Sequence, residues 1–268
     1  MKPKKIIKHV FSTFLVLALM GTTSCKAGND KNGYVSPLET SIEVKKDASD
    51  PSVKISIDEN FTLSVGMANE CVGTICWLAG FDEYQPQNED FLFLIQFNKS
   101  YFEQYKNDKA VRDAISYYKK LRRKGFSYDA PAQFATYITP DCHFWRTDYE
   151  NVKKMASDRN KMANHDTFGN LDKLLKVTAD FYDAVDYAHF YKTYSKFYKR
   201  LLQLGEANAD LIKNIEINYA EYFHQPMDRT VLNFSIFEDN NNYGCHFYDG
   251  EKSYFEPKYS SGLLQNLY

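Results

Sequence analysis

The run from Leu171 to Phe223 constrains the fold most, because its apolar residues recur with a helical period throughout. Leu171, Leu174, Leu175, Thr178, Phe181, Tyr182 and Val185 step by three and four, which lays one apolar stripe along an α-helix. Tyr187, Phe190, Tyr191, Tyr194, Phe197, Tyr198, Leu201 and Leu202 keep that spacing but start about 200° further round, at roughly 100° per residue. One straight helix would carry two opposed stripes. The chain is therefore expected to break between them, with Asp186 as N-cap of the second helix and Lys192, Lys196, Lys199 and Arg200 on its outer face. Gly205 is expected to end that helix. A third should run from about Glu206 to Phe223 with Leu211, Ile212, Ile215, Tyr219 and Tyr222 inward. Three helices with short joints predict an antiparallel helical layer on which the preceding chain packs.

The remaining pattern is shorter in range. Partial alternation over Val53–Ser64 predicts one or two strands. Helices are expected over Glu70–Phe81, closed by Gly80, over Asp90–Tyr105, and over Val111–Leu121, stopped at Gly125. Tyr128–Thr139 reads as a short helix and Pro140–Asn170 as a mostly irregular polar segment containing Trp145. Thr230–Glu238 and Asn242–Tyr248 read as two strands of a hairpin turning at Asp239–Asn242, and beyond Gly250 no pattern survives. The expected fold class is mainly α (α+β), a helical layer with a small antiparallel sheet or hairpin, in one domain over residues 53–268. A hydrophobic content of 44% supplies a core for it. The 21 Tyr and 20 Phe exceed the 2 Trp so far that a sugar-binding surface has to be weighed. Helical spacing makes core packing the better reading of Tyr187, Tyr191, Tyr194 and Tyr198; a carbohydrate-binding module would need them in solvent.

Residues 1–24 have the form of an export signal. Lys2, Lys4, Lys5 and Lys8 precede the apolar stretch Val10–Met20, which is too short to span a bilayer, and Gly21-Thr22-Thr23-Ser24 supplies the small residues of a cleavage site. Cys25 follows directly, as in a bacterial lipoprotein signal, although Thr22 stands where leucine is usual. The expectation is cleavage before Cys25, lipid on its thiol, and a membrane-anchored protein of the bacterial cell envelope, at the outer membrane or in the periplasm. Residues 25–52 are polar and lack apolar period, so they read as a flexible tether of roughly 30 Å average reach. Loss of the four signal lysines takes the formal charge from −2 to −6, which favours no nucleic-acid partner. The basic run Lys119-Lys120-Leu121-Arg122-Arg123-Lys124 reads as cations on a helix end, where the macrodipole favours them, ahead of an anionic-ligand patch.

Candidate chemistry centres on two echoing dipeptides, Cys142-His143 and Cys245-His246. Two Cys and two His could close a tetrahedral zinc site, and a zinc-dependent hydrolase built on them is the alternative to a non-catalytic protein. Neighbouring strand residues point to opposite faces, so one dipeptide rarely gives two ligands to one ion. A Cys142–Cys245 disulfide, or two buried thiols, is the expected outcome in an exported protein. Cys71 and Cys76 would lie about 140° apart on a helix and read as small core thiols. Glu221 and His224 form a single i, i+3 unit, where a di-iron bundle needs two such units and two further Glu. His165 and His189 have no ligand-spaced company, and neither a G-x-S-x-G nor an H-E-x-x-H is present.

Several short pieces occur in a recognisable order: Asn69-Glu70, Leu78-Ala79-Gly80-Phe81-Asp82-Glu83-Tyr84, Tyr101-Phe102 with Tyr105-Lys106, Gly125-Phe126-Ser127-Tyr128-Asp129-Ala130, Phe181-Tyr182 and Asn242-Tyr243-Gly244. Together they resemble the N-terminal part of a domain family of unknown function from secreted and lipoprotein-type proteins of gut bacteria, similar to zinc metallopeptidases. The resemblance implies a helix with H-E-x-x-H after the Asn-Tyr-Gly strand, whose histidines hold zinc and whose Glu activates water. This sequence reaches Tyr268 without that helix. No catalytic residue is carried over, and the expectation is a truncated, non-catalytic relative acting by binding a protein or glycan ligand, without a cofactor.

Overall fold

The structure is a computed structural model that describes residues 50–85, 92–127, 129–207, 209–224, 230–237, 243–249 and 252–259. The signal segment, Cys25 and the tether up to residue 49 lie outside them. Eight α-helices and one sheet are described, a mainly helical α+β fold as expected. In chain order these are β1 (Val53–Ser56), β2 (Phe61–Val65), α1 (Met67–Leu78), α2 (Leu92–Glu103), α3 (Lys109–Arg122) and α4 (Ala130–Thr136). Then follow α5 (Tyr149–Ala163), α6 (Leu171–Ala184), α7 (Tyr187–Glu206), α8 (Ala209–Phe223), β3 (Thr230–Phe234), β4 (Tyr243–Asp249) and β5 (Lys252–Tyr259).

The centre is α1, not the later helices. Eleven of its twelve residues are buried, including Cys71, Ile75 and Cys76 with no exposed surface. A helix buried all round carries no polar face, so its sequence shows no stripe to reveal its place. The α1 N-terminus has no side-chain cap of its own; Ser52 Oγ accepts from Met67 N at 3.0 Å, which fastens the last residues of the expected tether to the core. Gly80, at φ 76°, ends the turn beyond it.

The break between α6 and α7 falls where the stripe jumps, and the Asp186 side chain accepts from His189 N at 3.4 Å. Among the described residues, α6 and α7 meet other elements more closely than they meet each other. α6 packs mainly on α3, and α7 lies across β1 and β2. Phe102 of α2 joins these bodies, its ring centroid 4.8 Å from Phe190 and 6.1 Å from Phe181. Gly205 does not end α7; it lies inside it, because a Cβ there would come within 3.0 Å of Leu63 Cδ1 and 3.4 Å of the Phe234 ring. The glycine lets α7 approach the sheet. Tyr222, expected inward on α8, is 73% exposed.

Two segments expected to be irregular are regular. α5 occupies half of 140–170, but only Val152, Met155 and Ala156 are buried on it, too thin a stripe to register against its charged residues. β5 occupies the stretch beyond Gly250, where Pro257 masks a strand signal. With β5 present the sheet is mixed, in the order β1-β2-β3-β5-β4. β3 runs parallel to β2, with Leu63 opposite Leu232, and parallel to β5; the antiparallel hairpin is β4–β5, not β3–β4. A parallel β2–β3 pair requires a long crossover, and the helical body supplies it.

Candidate functional site

The loop 139–145 carries Cys142 and His143, two of the titratable side chains that the sequence singled out. Ile138 and Trp145 form a bridge, Thr139 N donates to Phe144 O at 2.8 Å, and Cys142 N donates to Thr139 O at 2.7 Å. This tight closure holds Cys142 at φ 62°, the left-handed region that non-glycine residues rarely occupy. Its consequence is a division of sides: Cys142 is buried with no exposed surface, and His143 is at the surface.

His143 is clamped from both ends. Nδ1 lies 2.5 Å from the Asp141 carbonyl oxygen and Nε2 lies 3.0 Å from Asp183 Oδ2, beside the C-terminus of α6. Both partners are acceptors, so only the imidazolium donates to both at once. Burial works against that charge; the Asp183 hydrogen bond, the Asp141 carbonyl and the two carboxylate charges outweigh it and hold the pKa above the ordinary histidine value. The ring stands edge-on to Tyr182, 5.8 Å between centroids.

On the inner side Cys142 neighbours Cys71 of α1, both without exposed surface. Burial pushes the Cys71 thiol well up, and its hydrogen bond to the Cys142 thiol adds to the shift. Cys142 Sγ in turn faces Pro140 O at 3.9 Å. Cys71, Cys76 and Cys142 are free thiols in the structure. Cys142 was expected to bridge to Cys245, whose side chain lies outside the described residues.

A second polar group sits deeper. Glu70 has no exposed surface, and Tyr198 Oη donates to its Oε2 at 3.3 Å. One turn on, Thr74 Oγ1 lies 2.9 Å from Tyr187 Oη. Burial first, and the Glu70 charge with it, push the Tyr191, Tyr194 and Tyr198 hydroxyls above their ordinary value. Tyr187, Tyr191, Tyr194 and Tyr198 are 0–6% exposed. They line the core and offer a sugar no face to stack on.

The zinc set is not brought together by Cys142 and His143, which point to opposite sides of their loop. Cys245 and His246 fall on the edge strand β4, with side chains outside the described residues. Among the described residues no three His, Cys, Asp or Glu side chains converge as metal ligands. Glu221 and His224 are both exposed. The basic run at the end of α3 is partly consumed: Arg122 lies 3.0 Å from both Glu83 carboxylate oxygens and 4.7 Å from the Phe81 ring centroid, and Lys124 is 3.4 Å from Asp166. A groove of about 520 Å³ runs along the end of α5, bordered by Lys153, Asn160, Lys161 and His165.

Comparison of the chain with protein-family models, curated proteins and solved structures gives no match in any of the three. The resemblance described above therefore rests on its short motifs. Several of them mark core positions: Asn69 and Glu70 are buried in α1, and Tyr101 Oη donates to Val185 O at 2.8 Å. Sequence reasoning missed the Asp183 clamp and the closeness of Cys71 to Cys142. Both join residues far apart in the chain and leave no local signal. Glu70, a carboxylate within the run Met67–Trp77, was a sign that a charge enters the core.

Proposed function

We propose that this chain is an exported lipoprotein of a bacterial envelope, anchored through lipid on Cys25, whose domain acts by binding a ligand rather than by turnover. The observation that carries the reading is the order of segments. A lysine-led apolar stretch ends at small residues, Cys25 follows, and a polar stretch then runs to Asp50, where the described fold begins. Such a tether would hold the domain roughly 30 Å from the membrane surface on average.

The test is metabolic labelling with an alkyne-tagged fatty acid in a bacterial host that processes lipoproteins, with wild type and Cys25→Ser compared. Wild type should carry the tag and sediment with membranes; Cys25→Ser should lose both. An untagged wild-type protein in the soluble fraction would sink the proposal.

A further inference from the structure

We propose that the outer face of α7 is a docking surface for anionic phospholipid headgroups. Lys192, Lys196, Lys199 and Arg200 are exposed and lie on one side of the helix, opposite the buried Phe190, Tyr194, Tyr198 and Leu201. At 100° and 1.5 Å per residue they cover an arc of roughly 100° and a length of about 12 Å. None of the four forms an ion pair with another described residue, and from Tyr187 to Gly205 the helix has no Asp or Glu to supply one. By contrast Lys109 of α3, Lys153 of α5 and Lys176 of α6 are each paired with an acid on the next turn. The exposed cations at the end of α3 sit where the macrodipole favours them; those of α7 run through the middle of their helix, where it does not.

Two further observations favour a membrane over a soluble anion. The chain enters the fold beside this helix: Val53 N, just beyond the first described residue Asp50, donates to Tyr191 Oη at 3.0 Å. A tether anchored at Cys25 would keep α7 within roughly 30 Å of the lipid on average, where weak attraction is amplified by high effective concentration. The ring of Phe97, on α2, is 44% exposed and stands at right angles to Tyr194 with 5.3 Å between centroids, so an apolar side chain flanks the basic helix. Cations with an exposed aromatic alongside suit the headgroup region.

The rest of the chain sets the orientation. Without the leader lysines the formal charge is −6, so the domain as a whole is repelled by an anionic bilayer. Only a segregated cationic face can approach within a Debye length of about 8 Å. Each Lys or Arg held against such a surface strengthens binding roughly fivefold, and four acting together several hundredfold. The inference rests on the proposed envelope location for its setting, but the surface itself does not need lipid on Cys25.

The test is vesicle co-sedimentation of the full chain carrying Cys25→Ser, which cannot be lipidated. Lipid would be titrated as phosphatidylcholine alone and as phosphatidylcholine mixed with phosphatidylglycerol, at low and high salt. The expected result is tighter binding to the phosphatidylglycerol vesicles, weakened by salt. Lys192→Gln/Lys196→Gln/Lys199→Gln/Arg200→Gln should weaken it on the order of a hundredfold. The double variants Lys192→Gln/Lys196→Gln and Lys199→Gln/Arg200→Gln should each lose part of it, which keeps the test if the quadruple variant does not fold. Lys119→Gln/Lys120→Gln/Arg123→Gln, at the end of α3, should bind like the parent chain and separates this face from general positive charge. Equal binding to both vesicle types, equal losses for the α3 and α7 variants, or binding to soluble polygalacturonate with none to vesicles would overturn the proposal. Fatty-acid labelling reads Cys25 separately, so failure of the anchor and failure of the docking face are distinguishable.

Discussion

Replacing Tyr191 with Phe removes one oxygen, yet it should be among the costlier conservative changes in this protein. Val53 and Val65 face one another in the antiparallel β1–β2 pair, and the Tyr191 hydroxyl from α7 bridges them. It accepts from Val53 N at 3.0 Å and donates to Val65 O. A side chain thus completes a rung of the sheet. Val65 has no exposed surface, so its carbonyl cannot recruit water once the hydroxyl is gone, whereas the half-buried Val53 N–H can in part. Two hydrogen bonds at about 1 kcal/mol each, one leaving a stranded acceptor, sum to about 2–3 kcal/mol. That corresponds to a fall in melting temperature of roughly 4–12 °C for a chain of this size. Urea denaturation gives the free energy, and amide exchange should show faster opening at Val53. Tyr182→Phe is the control: among the described residues its hydroxyl reaches only Met67 Sδ at 3.9 Å, and its loss should cost under about 0.5 kcal/mol. Equal losses for the two variants, or an unchanged Val53 exchange rate, would refute the bridging role.

Two further changes test the surface clamp and the left-handed turns. The His143 pKa is raised in the folded state, so its contribution to stability is full below the unfolded histidine value of about 6.5 and fades as pH rises through the folded value. With Asp183 well exposed the effect is discounted to about 0.2–1 kcal/mol; His143→Gln should be less stable than wild type in urea at pH 5.5 and equal to it at pH 8.5. Gly125 sits at φ 80°, and a Cβ there would collide with the His165 ring. Gly125→Ala should therefore cost about 1–2 kcal/mol from the backbone alone, and calorimetry should show a lower melting temperature.

Some of this fold was written locally. The apolar stripe over Leu171–Val185, its jump, and the capping of α7 by Asp186 are all decided within a few residues, and the structure repeats them in place. The strands β1 and β2 and the helices α2 to α4 were legible for the same reason, and the end of α1 through its Gly80 stop, since period, caps and glycine stops act over one or two turns. The burial of the α7 tyrosines was legible too, because a stripe says which face is apolar.

The tertiary structure decided what each face meets. α1 gives no periodic signal because it has no solvent face, and only packing makes it the centre. β5 is a strand because β3 and β4 stand on either side of it, which overrides Pro257. Tyr191 reaches Val53 across 138 positions, and Cys71 neighbours Cys142 only when the loop 139–145 folds its sulfur inward. Local sequence sets φ/ψ preference and amphipathic period, which are short-range. Contacts between distant residues follow from closing the chain on one core, and they place the thiol pair, the buried carboxylate and the histidine clamp.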